Sequence, residues 1–244
     1  MVGPASESRR QAQDLRRFLR ALGYICLGSI LFFLFSVLLG PKMSGIKYAA
    51  HNAWMQHARQ IGQMMFAYST DNTANNNSYP DGSSSTEVFQ KLIDGGYCAD
   101  PTIFYIPLPG KIKPVAGQKL KPENVSWDVT SGVDSHAPDG LPLIFMTGYK
   151  VTYAPGGAAV PIIKPYPQFG NLRTWSQWWN EGMPSGTKGT VPPGIAVYYK
   201  GNNAAFLILD TWTNSNASIP NFVPPTFDAK GKTYRQLTPD GPLP

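Results

Sequence analysis

The uncharged apolar run Ala21 to Leu39, ALGYICLGSILFFLFSVLL, constrains this chain more than any other feature. As an α-helix rising about 1.5 Å per residue it is roughly 29 Å long, close to the ~30 Å hydrocarbon core of a bilayer. Leu31-Phe32-Phe33-Leu34-Phe35 leaves it no polar face, which a helix on a soluble core would show. Gly40-Pro41 closes it. A cleaved secretory signal would have a shorter apolar core and a small-residue cleavage site, whereas Gly40-Pro41-Lys42-Met43 follows here. The run therefore reads as a retained single-pass transmembrane helix with membrane lipid around it.

Charge orients the helix. Arg9, Arg10, Arg16, Arg17 and Arg20 precede it, while Lys42 and Lys47 are the nearest basic residues behind it. The more basic flank stays in the cytoplasm, which sends the rest of the chain to the other side. The net charge of +6 is partly this topological signal. The remaining Lys and Arg are scattered and no aromatic stripe interleaves them, so no nucleic-acid partner is expected. Cys26 lies in the run and Cys98 far beyond it, which makes an internal disulfide unfavourable. Cys98 is expected to be a half-buried free thiol, with a bridge between two chains as the alternative.

Beyond the run, residues 44–70 carry a helical stripe. Trp54, Ile61 and Tyr68 recur every seven residues, with Ala50, His57 and Met64 as a second series beside them. Gly40-Pro41 is expected to kink the path without ending it. The stretch Asp71 to Gly82 is rich in Asn, Asp and Ser and reads as a solvated loop. Its oxygens would suit calcium, but the spacing is not that of an EF-hand loop. A second helix is expected from about Ser84 or Ser85, which can cap it, to Gly95-Gly96, which stops it. From Pro101 onward short β-type runs alternate with Pro and Gly: 103–106, 142–146, 149–153, 195–199 and 205–209, the last two joined by a hairpin at Lys200-Gly201-Asn202-Asn203. Of Tyr198 and Tyr199, alternation along a strand allows only one to face a core. The Pro-rich stretch 219–244 reads as an irregular tail.

This order of parts resembles type IV pilins and pseudopilins: a basic leader ending in Gly23, an apolar helix running into an amphipathic one, a loop, a short helix and a small sheet. The closer likeness is to bacterial pilin-like proteins with a prepilin-type N-terminus. It is carried by Gln60-Ile61-Gly62, Tyr68, Asp71-Asn72 and Tyr79-Pro80. Glu87 to Leu92, Gly96-Tyr97 and Asp100 to Pro107 extend it, and Tyr199-Lys200-Gly201-Asn202 sits where a late hairpin turn would be. The resemblance implies an α+β fold in which a single N-terminal transmembrane helix continues into a long amphipathic helix packed on a small antiparallel β-sheet with long irregular loops. It implies a basic cytoplasmic segment at 1–20, a transmembrane helix at 21–40, a periplasmic domain at 41–218 and the tail at 219–244, in the bacterial inner membrane. It also implies a processing site at Gly23-Tyr24. The family pattern places a Glu five residues into the processed chain, where it pairs with a neighbouring subunit's amine; this chain has Gly28 there.

No catalytic, metal or cofactor motif stands out. His51 and His57 fall on different faces of a helix, and His136 sits in the polar stretch Asp134 to Gly140. Expected interface residues are Phe32, Phe33 and Phe35 for neighbouring transmembrane helices, and Trp54, His57 and Ile61 on the stripe. Trp175, Trp178 and Trp179, at helical spacing behind a Thr174-x-x-Gln177 capping box, read either as core or as a binding surface. Three functions follow. The first is a non-enzymatic pilin-like structural or assembly protein partnered by similar subunits. The second is an accessory subunit of a respiratory, photosynthetic or other inner-membrane complex. The third is a tethered glycan-binding module using the three tryptophans.

Overall fold

The structure, a computed structural model, describes the backbone of residues 4–71, 77–162, 164–165, 190–191, 194–208 and 218–243. It describes the side chains of 22–34, 51–71, 77–162, 194–208 and 218–243. The chain forms two units, Met1–Ala50 and His51–Pro244. Helix α1, Pro4–Asp71, contributes residues to both, and its helical backbone runs through Gly40-Pro41. Among the described residues no helix is long and apolar enough to cross a membrane. Of the expected span Ala21 to Leu39, side chains are described only for 22–34.

The second unit is α+β. Its six-stranded antiparallel sheet has the order β10-β9-β1-β2-β7-β8, built from β1 (Trp127–Ser131), β2 (Pro142–Met146), β7 (Gly194–Tyr199), β8 (Asn203–Ile208), β9 (Arg235–Thr238) and β10 (Gly241–Pro242). A second ribbon pairs β3 (Tyr149–Val151) with β4 (Ala159–Pro161), and β5 (Lys164–Pro165) pairs in parallel with β6 (Thr190–Val191). The expected hairpin forms between β7 and β8. It closes on a three-residue turn whose last residue, Asn202, has φ 61, a conformation asparagine tolerates.

Both faces of the sheet are covered. On one face lies α1 from His51 onward, with α2 (Ser85–Asp94), whose Ser85 hydroxyl donates to the Trp127 carbonyl at 2.7 Å. On the other lie β3 and the segment after Ile219: Phe222 meets Phe145 edge-to-face at 5.6 Å, and its carbonyl accepts from the Tyr199 hydroxyl at 2.8 Å. This corrects the expectation for the tyrosine pair. Tyr198 packs on α1 and Tyr199 on the opposite layer, because a sheet covered twice has two inner faces. It also explains why β1 and β2 are buried at every position instead of every second one.

The stripe on α1 is rotated from its expected line. Ala58, Ile61, Gly62, Met65 and Ser69 are buried, while Trp54, His57, Met64 and Tyr68 are half-buried along its margins. The cause is size. Ala58, Gly62 and Ser69 let the helix sit close to the strands, and the large aromatics straddle the contact.

Ser84 caps α2 as expected, its hydroxyl accepting from the Glu87 N–H at 3.2 Å. Glu87 reaches back one residue further than in the usual box, taking the Ser83 N–H at 2.8 Å and its hydroxyl at 2.7 Å. Ser84→Ala should lower domain stability by about 1 kcal/mol, read as a shifted urea midpoint at unchanged slope.

Two further expectations fail. Residues 103–106 do not form a strand. Asp100 and Pro101 set a 3-10 turn at Pro101–Phe104, with the Asp100 carboxylate accepting from the Thr102 N–H at 2.9 Å, and Phe104 stacks on Phe89 at 4.5 Å. The stretch 219–244 is not an irregular tail either: β9 pairs with the central strand β1, and Phe222, Val223, Phe227, Tyr234 and Leu237 enter the core.

Candidate functional site

Residues 22–34 of α1, the described side chains of the first unit, present an apolar surface. Tyr24, Phe32 and Phe33 are 73%, 75% and 68% exposed, and Leu22, Ile25, Leu27, Ile30, Leu31 and Leu34 are exposed as well. At 100° per residue these positions circle the helix, so no single face accounts for them. The Ser29 hydroxyl is satisfied within the helix, donating to the Ile25 carbonyl at 2.9 Å. Such internal pairing suits a medium without water. Nothing stands within 4 Å of where a Cβ would sit at Gly23 or Gly28, which leaves a shallow notch at each. The Phe35 side chain and the tryptophans 175, 178 and 179 lie outside the described residues.

The stripe residues named as interface candidates pack within the second unit, as an apolar helix face laid on the domain would. Ile61 is fully buried. Trp54 lies 6.0 Å from the Phe206 ring of β8, and His51 stacks on the same ring at 4.0 Å. His57 is half-buried, its Nδ1 is enclosed without a hydrogen-bond partner among the described residues, and burial lowers its pKa. It opens onto a cleft of about 270 Å³ shared with Gln60, Met64, Tyr97, Cys98 and Asp100. Tyr97 closes one end by donating to Asp71 Oδ2 at 2.9 Å. The Cys98 thiol is 6% exposed, bonds the Asp100 carbonyl at 3.3 Å and is pushed up by burial. That burial removes it from easy reach of a second chain, against the alternative of an intermolecular disulfide.

His136 is wired into surface loops. Its N–H donates to Asp134 Oδ1 at 3.0 Å, Asp134 pairs with Lys232, and the Lys200 ammonium donates to the Ser135 carbonyl at 3.0 Å. Among the described residues no group of three His, Cys, Asp or Glu side chains is arranged to hold a metal.

One polar cluster was not legible in the sequence. Asp128 of β1 is fully buried, and its Oδ2 accepts from Gln236 Nε2 at 2.6 Å. The same Gln236 amide donates to the Tyr149 carbonyl at 2.6 Å and accepts from the Val151 N–H at 3.0 Å. A side chain of β9 thus pairs with the backbone of β3 as a strand would, and Asp128 holds it there. Burial pushes the Asp128 carboxyl up to about 7, against the opposing pull of the Gln236 amide, the Thr147 hydroxyl and the more distant Lys111.

No family model matches the chain, and neither a curated protein nor a solved structure matches it.

Proposed function

We propose that the chain is a non-enzymatic, single-pass membrane protein, a pilin-like structural or assembly subunit whose domain stands on the periplasmic side of the bacterial inner membrane. The observation that carries this reading is the exposure of every large apolar side chain between Leu22 and Leu34, on all sides of the helix. That much exposed apolar surface is costly in water, and lipid or neighbouring helices would cover it. The arginine-rich leader sets the orientation. The described cleft at His57 supplies no activated nucleophile: its thiol is buried and raised, and its imidazole Nδ1 meets no partner. The second reading, an accessory subunit packed laterally in a larger membrane complex, is favoured by Gly28. A glycine at that position offers no carboxylate to a neighbouring subunit's amine, and its open notch admits an adjacent helix closely.

In bacterial membranes washed with carbonate the wild-type chain should remain in the pellet. Replacing Ile30 and Phe33 together by Asp should move it to the supernatant, since each carboxylate at mid-span costs about 2.5–3.5 kcal/mol. A wild-type chain that washes off would overturn the anchored reading. N-terminal sequencing then separates the two uses. A start at Met1 fits a retained anchor in a complex, and a methylated start at Tyr24 fits entry into a filament.

A further inference from the structure

Before β1 the chain runs KIKPVAGQKLK over 111–121 and then Pro122-Glu123, placing four lysines against one carboxylate. The loop is held in place. Pro114 and Leu120 are buried at its two ends. The Ile112 N–H donates to the Glu123 carbonyl at 2.7 Å, and the Ile112 carbonyl accepts from Asn124 Nδ2 at 3.0 Å. The Leu120 N–H donates to Gln90 Oε1 at 2.8 Å, fastening the far end to α2. Lys111 turns inward and donates to the Pro122 carbonyl at 3.0 Å. On this fixed frame two aliphatic side chains point outward, Ile112 at 61% and Val115 at 58% exposure. Lys113, Lys119 and Lys121 are exposed around them. Lys121 lies 3.9 Å from Glu123, which leaves three exposed lysines on the loop against this one carboxylate.

We propose that this loop docks on an anionic phospholipid surface, Ile112 and Val115 entering the acyl boundary while Lys113, Lys119 and Lys121 meet the phosphates. The inference rests on the anchored reading, which would keep a bilayer at high effective concentration beside the domain. The chemistry favours lipid over an acidic protein. The tips are aliphatic and small, and the cleft of about 220 Å³ that they line with Lys113, Lys119 and Lys121 holds no aromatic anchor of the kind that centres protein interfaces. Cations ringing short apolar inserts are what a headgroup layer accepts. Each lysine near such a surface raises partition roughly fivefold, an effect that fades beyond a Debye length of about 8 Å in physiological salt.

The test uses the full chain with Cys26→Ser and Val115→Cys, carrying an environment-sensitive fluorophore at the new thiol. It is reconstituted in nanodiscs of phosphatidylcholine alone, and of equal parts phosphatidylcholine and phosphatidylglycerol. The expected result is a blue-shifted emission, brighter by about twofold, in the anionic discs only, lost at about 0.5 M salt and lost again when Lys113, Lys119 and Lys121 are changed to Glu. Ile112→Ser, a milder change on the same exposed loop, should reduce the signal in part. Equal emission in both discs, a gain indifferent to the lysine reversals, or an equal gain on adding polyglutamate in detergent would each overturn the proposal. A chain that enters neither disc overturns the anchored reading itself, whereas one that enters both with a silent label overturns only the loop's role.

Discussion

Gly62→Ala should destabilise the domain by about 2 kcal/mol, although alanine is the better helix former by up to ~1 kcal/mol. A Cβ at Gly62 would stand 2.2 Å from Cδ1 and Cε1 of Tyr198 and 2.6 Å from its Cγ. The ring has little room to retreat. Tyr198 is 3% exposed, and its hydroxyl donates to Asn202 Oδ1 at 3.1 Å in the β7–β8 turn. The added methyl must therefore push α1 off the sheet or force the ring from its rotamer, and overpacking of this kind costs typically 1–3 kcal/mol, enough to exceed the helical gain. For a chain of this size the melting temperature should fall by about 5 °C. A double-mutant cycle with Tyr198→Ala identifies the source, because the two changes should couple by about 2 kcal/mol if they share this contact. An alanine variant that melts higher than the parent would mean the helix does not sit where the ring is.

Gly62 also shows what the sequence could and could not disclose. The helix through residue 70 was legible from its period, and α2 from its serine cap and paired glycines, because those signals are local. The rotation of the buried face was not, because the centre of the contact is made by Ala58, Gly62 and Ser69, which carry little hydropathy. Strands β2, β7 and β8 announce themselves as Leu143-Ile144-Phe145-Met146, Ile195-Ala196-Val197 and Phe206-Leu207-Ile208. Strands β1 and β9 do not. Trp127-Asp128-Val129-Thr130-Ser131 and Arg235-Gln236-Leu237-Thr238 read as polar loops, and the surrounding prolines strengthen that impression. They are strands because the Gln236 amide satisfies Asp128 and the backbone of β3 while the Thr130 hydroxyl donates to the Pro142 carbonyl of β2, an arrangement joining positions far apart in sequence. The apolar tips of the 111–121 loop were hidden for a related reason. Isolated Ile and Val among lysines carry no pattern until Pro114 and Leu120 are seen to take the inward places.

The same buried cluster gives the second large effect. Asp128→Asn should raise stability at pH 8 by about 2–4 kcal/mol while changing it by less than ~1 kcal/mol near pH 4. The folded carboxyl is raised from an ordinary 3.8 to about 7 by complete desolvation. Between those two values the folded state holds a proton that the unfolded state has released. Stability contributed by this group is therefore present below about pH 4 and is lost as pH rises to about 7, at up to ~1.4 kcal/mol per pH unit. Asparagine keeps an acceptor for Gln236 Nε2 and removes the charge. The charged and titratable groups nearest the site are Lys111, Asp240 and the Tyr153 hydroxyl. Of these only Lys111 favours the ionised form, and its ammonium is committed to the Pro122 carbonyl. Urea midpoints of parent and variant, measured from pH 4 to pH 9, isolate the effect as their difference, because Glu87 and Asp100, which are lowered and pull the opposite way, are common to both. A difference that stays flat with pH would mean that Asp128 is ionised in the folded core throughout. Lys111 would then have to lie close enough to pair with it, and Lys111→Met would become the more damaging substitution.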